Sequence, residues 1–242
     1  MNKNKFNFFN LTYTSIVRTL SLSINFLILF FILKSFDKEF VNNYTKFISW
    51  ANTLSAVMIF GLNEYYVNQL GKYNLRKFFY RTLFYEYIFF ITISLLFCNL
   101  IVIYDSQIFG FDYFSFQIFI VTLYSIFFIS VFSKINISIY KTFIFESFLR
   151  IFLYLVSVIL IAYFLNIKYF TLFLISSNFT VIFLLLFLNR NIIKNFISQN
   201  KYVSFTYNAR QRSFYGLNSL SSIIEFTLPI IVLSLVKQDD LL

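Results

Sequence analysis

Apolar residues in this chain come in long blocks, separated by short stretches that hold most of the charge. Seven blocks stand out, at 11–33, 47–70, 82–104, 114–133, 148–166, 167–189 and 214–236. A helix rises 1.5 Å per residue, so about 20 mostly apolar residues cross a bilayer. Each block therefore predicts a transmembrane helix. Only Asn166 and Lys168 divide the fifth block from the sixth, which predicts a tight hairpin there. The first block is too long for the apolar region of a signal peptide. It also lacks a small-residue cleavage site before Lys34, Ser35, Phe36 and Asp37.

The charges between the blocks give an orientation. With the N-terminus inside, 14 of the 20 basic residues fall in cytoplasmic segments and five in outer ones, leaving Arg18 within the first block. Asp37, Glu39, Asp105, Asp112, Asp239 and Asp240 fall outside. That is the positive-inside pattern. The net charge of +10 is thus read as topology rather than as nucleic-acid binding. The longest outer connection is expected at about 34–46. Two cytoplasmic stretches exceed a turn. Residues 134–147 continue the fourth span toward the fifth. Residues 190–213 set Ile193, Phe196 and Ile197 on one helical face beside Lys194 and Lys201, as in a basic amphipathic segment at the inner surface.

Composition fixes the class. The chain is 59% hydrophobic and 12% charged, against about 45–50% and about 25% in soluble domains. So few charged side chains cannot cover so much Phe, Ile and Leu in water. The fold class is an all-α integral membrane protein. There is no His, which excludes His-ligated metals and His-based triads, and the one cysteine, Cys98, allows no intrachain disulfide. The glycines at 61, 71, 110 and 216 fit neither a phosphate loop nor a GxxxG pair. No metal or cofactor is expected.

Ionisable groups within spans are costly and face protein or water, so each is a candidate for function. Arg18 and Glu64 both lie roughly 6–9 Å to the cytoplasmic side of the midplane in adjacent antiparallel spans. Three readings stay open for them: snorkelling to the headgroups, an Arg18–Glu64 ion pair, or contact with substrate. Glu86 is one turn from the inner end of its span and reads as interfacial, near Arg81. Glu225 falls at the centre of the last span, four residues before Pro229, the only proline. A mid-membrane carboxylate beside a helix-kinking proline fits a substrate or coupling-ion site, or else is protonated and neutral. Asn25, Asn52, Asn63 and Asn178 are expected to hydrogen-bond between helices.

The order of features resembles a known family. The opening NFFNLTYTSIVRTLSLSINFLILFFIL, a short outer loop and SWANTLSAVMIFGLNEYYVNQLGKY resemble the first two helices of polysaccharide flippases. These are the O-antigen and lipid-linked oligosaccharide translocases of the multidrug/oligosaccharidyl-lipid/polysaccharide exporter superfamily. The stretch 190–213 followed by SFYGLNSLSSIIEFTLPIIVLSLV resembles that family's linker and seventh helix. The resemblance implies two six-helix lobes around a central cavity. Residues 1–189 would form the first lobe, 190–213 the basic amphipathic cytoplasmic linker, and 214–242 the seventh helix, opening a second lobe that this chain does not complete. The seventh helix is expected to stand apart from the six-helix bundle.

What the resemblance implies about function follows. The chain would turn a polyprenyl-diphosphate-linked oligosaccharide across a bacterial inner membrane, without covalent chemistry. Its partners would be that lipid-linked glycan, membrane lipids and other membrane proteins of polysaccharide assembly. Arg18 matches the arginine that family members carry on their first helix. The assignment of Glu225 as substrate or coupling-ion site rests on depth alone. Two other classes compete. A membrane-embedded glycan polymerase or glycosyltransferase is equally multi-span, but would be expected to carry a long outer loop with catalytic charges. A non-functional remnant or membrane subunit is the third.

Overall fold

The computed structural model describes residues 8–59, 61, 65–66, 79–104, 112–136, 139–164, 167–190 and 210–217. These residues are helical apart from short connections, with no strand among them. The elements are α1 (Phe8–Ser35), α2 (Lys38–Ile59), α3 (Phe79–Tyr104), α4 (Tyr113–Asn136), α5 (Ile139–Phe143), a π-helical segment (Ile144–Leu149), α6 (Arg150–Phe164) and α7 (Phe170–Leu188). A short 3₁₀ turn (Ile167–Tyr169) leads into α7. Residues 210–217 form one further short helix.

Two aspartates set helix starts that hydropathy does not locate. Asp37 Oδ1 accepts the Phe40 N–H at 2.9 Å, and Asp112 Oδ2 accepts the Ser115 N–H at 2.9 Å. Each satisfies a donor that the first turn leaves without an intrahelical partner. The first cap corrects the expected outer loop at 34–46. The chain turns within residues 36–37, and α2 starts at Lys38, nine residues before the apolar block does. The stretch 139–147, expected to lie between spans, is likewise helical and continuous with α6 through the π segment.

Four stretches are long and apolar enough to cross a membrane: Ser15–Ser35, Tyr113–Val131, Lys141–Phe164 and Ile167–Leu188. The chain is a membrane protein of the all-helical class. In α3 the apolar stretch shortens to Tyr85–Asn99, and α2 opens with Lys38, Glu39, Asn42, Asn43 and Lys46. The seventh block lies outside the described residues beyond Leu217.

The centre of the bundle is α4, which packs on α2, α3, α5 and α7. Of its membrane-length stretch 61% is buried, against 22% for α1, so α4 is the core and α1 a flank. Phe47 of α2 lies against Phe116 and Phe119 of α4, with ring centroids 5.1 and 5.0 Å away. Phe40 meets Phe170 of α7 edge-on at 5.0 Å. In lipid the apolar effect gives no net drive between helices, so close packing and interhelical hydrogen bonds must hold them. Small residues accordingly occupy the contacts, with Ser130 and Ser133 of α4 fully buried. Ser157 of α6 meets Ser177 of α7 at 3.1 Å. Hydroxyls of Ser21, Ser125, Ser157 and Ser177 also bond the carbonyl four residues back. No hydroxyl is thereby left bare where an unmet group costs several kcal/mol.

The flank α1 packs on α5, the π segment and α6, and touches α2 only lightly. Its buried stripe is Val17, Ser21, Ile28 and Ile32. The opposite face is open, with Leu22 and Phe26 about 70% exposed. An apolar patch of that kind needs lipid or another protein element over it.

Candidate functional site

Charged and polar side chains gather at one end of the bundle, which holds the start of α1, the end of α2, the start of α3, the end of α4 and the π segment. Three groups lie there.

The first is on α1. Ser15, Arg18, Leu22, Asn25 and Leu29 recur at the spacing of one helical face, and all are exposed. This is the face that no other helix of the bundle covers. The Arg18 guanidinium carbon lies 5.6 Å from the ring centroid of Phe143 on α5, a cation–π contact that leaves the group accessible. Of the other proposed site residues, Glu64 and Glu225 lie outside the described residues, and with them the Arg18–Glu64 pair and the Glu225 site. Asn25 and Asn52 are exposed, whereas Asn178 makes the expected interhelical bonds.

The second group is built on the π segment. Glu146 is buried there, and one carboxylate oxygen lies 2.6 Å from Lys134 Nζ on α4. One turn on, the Arg150 guanidinium sits over the Phe127 ring at 5.1 Å. Its Nε and Nη1 are buried and make no hydrogen bond among the described residues. Segments of π-helix are uncommon and concentrate at functional positions.

The third group was not foreseen. Arg212, expected in a surface-lying linker, is 2% exposed. Its helix, residues 210–217, runs across the expected boundary at 213/214 and docks on the end of α2 and the start of α3. Nη2 of Arg212 donates to the Ile59 carbonyl at 3.2 Å and lies 3.7 Å from a Glu86 carboxylate oxygen. The Ile59 carbonyl belongs to the last residue of α2, where helix carbonyls lack intrahelical donors and the helix dipole is negative. The rings of Phe90 and Tyr66 flank the guanidinium at 5.7 and 6.0 Å. Glu86 is therefore no interfacial residue: its side chain is only 12% exposed.

Two of the four glycines make this docking possible. Gly61 has φ +68°, in the left-handed region that disfavours a Cβ. A Cβ there would fall 2.5 Å from the Gly216 nitrogen and 2.5 Å from the Tyr215 carbonyl carbon. The two backbones touch directly, and Tyr65 and Tyr66 are sealed beneath Tyr215. The signal in the sequence was faint: Gly61 and Gly216 are each the only glycine within a long span, 155 residues apart.

A groove of about 580 Å³ runs along α4 between α3 and α7, lined by Tyr87, Leu95, Phe114, Ile129, Phe179 and Leu186 among others. Its polar groups are already engaged: the Tyr87 hydroxyl lies 2.6 Å from Ser125 Oγ, and Thr122 Oγ1 accepts from Asn178. Among the described residues no group of three or more Cys, Asp or Glu could hold a metal ion. The chemistry available is charge recognition by guanidinium and ammonium groups at one end of an apolar bundle. No known protein family, curated protein or solved structure matches the chain.

Proposed function

We propose that this chain is the first lobe, with the start of a second, of a flippase for polyprenyl-diphosphate-linked oligosaccharides in a bacterial inner membrane. Its seven apolar blocks cross the bilayer with the N-terminus in the cytoplasm. The chain performs no covalent chemistry. A lipid-linked glycan presents two phosphates and a polar sugar, which need a cationic, wettable surface at membrane depth.

One observation carries this reading: the uncovered face of α1 is the one that bears Ser15, Arg18 and Asn25. A face meant only for lipid would not carry a guanidinium and an amide along one stripe. A face lining a cavity between two lobes would. The Arg18 fork then meets phosphate oxygens, a geometry that Arg offers and Lys does not. The groups at Lys134, Glu146 and Arg150 lie close by, below Phe143, and add positive charge to the same end.

The test is reconstitution. The complete gene product is placed in vesicles with a labelled polyprenyl-diphosphate glycan, and the glycan exposed on the opposite leaflet is followed by periodate oxidation. Protein-dependent exposure supports the reading. Exposure no faster than in protein-free vesicles overturns it.

A further inference from the structure

The docked helix 210–217 is joined to the bundle in an unusual way. Eight residues are too few to hold a helix in isolation, so its shape depends on what it packs against. What it packs against is polar and backbone-built. The contact consists of one guanidinium, one carboxylate, one helix-end carbonyl and two glycines in backbone contact. Its outward side carries Phe214 and Leu217, which are 70% and 64% exposed.

We propose that residues 210–217 are a latch, with Arg212 as its bolt, which closes the gap between the end of α2 and the start of α3 and withdraws to open it. Three features make the contact two-state rather than a fixed part of the core. The Arg212–Glu86 separation of 3.7 Å is longer than a charge-assisted hydrogen bond, so parting the two gives up little direct bonding. Both charges are desolvated when closed and regain water when open, which offsets the lost attraction. The Gly61–Gly216 contact is backbone on backbone, without interlocking side chains, so it separates without repacking a core. An element with two discrete arrangements is what a transport cycle needs at an entrance.

The role as an entrance rests on the transport reading above; the latch itself does not. In the closed state here, Arg212 occupies the corner that α2 and α3 would otherwise present to the aqueous side. Residues 210–217 lead directly in sequence into the seventh apolar block. Motion of that block relative to the bundle would pull on Arg212, and an anionic substrate at the corner would compete with Glu86 for it.

The latch is tested by distance measurement in the full chain reconstituted in lipid. Spin labels go on two exposed neighbours of the contact, through Tyr85→Cys and Ser213→Cys; Cys98 is buried and stays unlabelled. Pulsed dipolar spectroscopy should give a dominant short distance and a minor long one. Arg212→Gln and Glu86→Gln should each raise the long-to-short ratio about fivefold, the lower range of conformational couplings, and the double variant should add little more. Arg212→Lys, which keeps the charge but loses the flat stacking surface, should fall between. One distance, unchanged in all four variants, overturns the latch. So does loss of the short distance in the unsubstituted background. A polyprenyl-diphosphate glycan should shift the labelled protein toward the long distance. If the variants shift the ratio and the glycan does not, the latch stands and the transport reading loses its support.

Discussion

Tyr154 on α6 donates its phenol proton to Oδ1 of Asn178 on α7, and Asn178 passes its own N–H to Thr122 on α4 at 3.0 Å. Three helices are thus tied through one amide that is fully buried. Both amide functions are used, so the bridge has no spare valence for the tyrosine or the threonine if it is removed.

Asn178→Leu should lower the apparent Tm of the detergent-solubilised protein by several degrees. Each interhelical bond in a membrane protein contributes about 0.6 kcal/mol, and the stranded Tyr154 hydroxyl adds to the loss. Asn25→Leu on the open face of α1 should leave Tm unchanged. Equal losses in both variants would show that the amide of Asn178 is not the tie.

Gly61→Ala should be far more damaging than an ordinary glycine replacement. The left-handed backbone alone costs about 1–2 kcal/mol with a Cβ, and that Cβ meets the Gly216 and Tyr215 backbone at 2.5 Å. The expected outcome is release of residues 210–217, read as new protease cleavage near Arg210 and Arg212 while the rest of the bundle stays resistant.

Glu146→Leu should destabilise the bundle by about 3 kcal/mol, because the buried Lys134 ammonium loses the carboxylate 2.6 Å away. Combining it with Lys134→Met should recover most of the loss. Chemical denaturation of the four members of that cycle measures the coupling. Additive losses would mean that the two residues do not act as a pair.

Arg18→Lys should insert and accumulate normally but slow glycan flipping in the reconstituted assay, and Arg18→Ala should abolish it. Both side chains of the first pair snorkel, whereas only Arg supplies a planar fork. Wild-type flipping in both variants would leave Arg18 a headgroup anchor.

Orientation is checked by impermeant maleimide added from outside the cell. Cysteines at positions 38, 112 and 239 should be modified, and those at 76 and 201 spared. Labelling at 76 but not at 112 would invert the protein.

Much of the helical framework could be read from hydropathy, because a block of 20 apolar residues has few other uses. The stretches 11–33, 82–104, 114–133 and 167–189 all lie within or close to helices α1, α3, α4 and α7. Helix α2 was misplaced because its first nine residues carry Lys38, Glu39 and Lys46, and its start is set by the Asp37 side chain rather than by hydropathy. Span-depth reasoning found Arg18 and Glu86 but misjudged the surroundings of Glu86. Its partner sits 126 residues away, in a segment whose basic pattern fits a surface helix. Lys134 and Glu146 were passed over for a similar reason. A charge at the margin of an apolar block looks solvated until the fold buries it.

The π segment has a consequence for how this sequence can change. Hydrogen bonds that skip one residue more per turn admit a length of chain that an ordinary helix would not, and α6 takes its phase from it. Each α-helical residue turns the helix by about 100°. Loss of a single residue between 144 and 149 would therefore swing Tyr154, Ser157 and Val158 away from α7 together, even with every one of those side chains intact. Substitution in that stretch is a local matter. A change in its length is a change of gear, transmitted along the whole of α6.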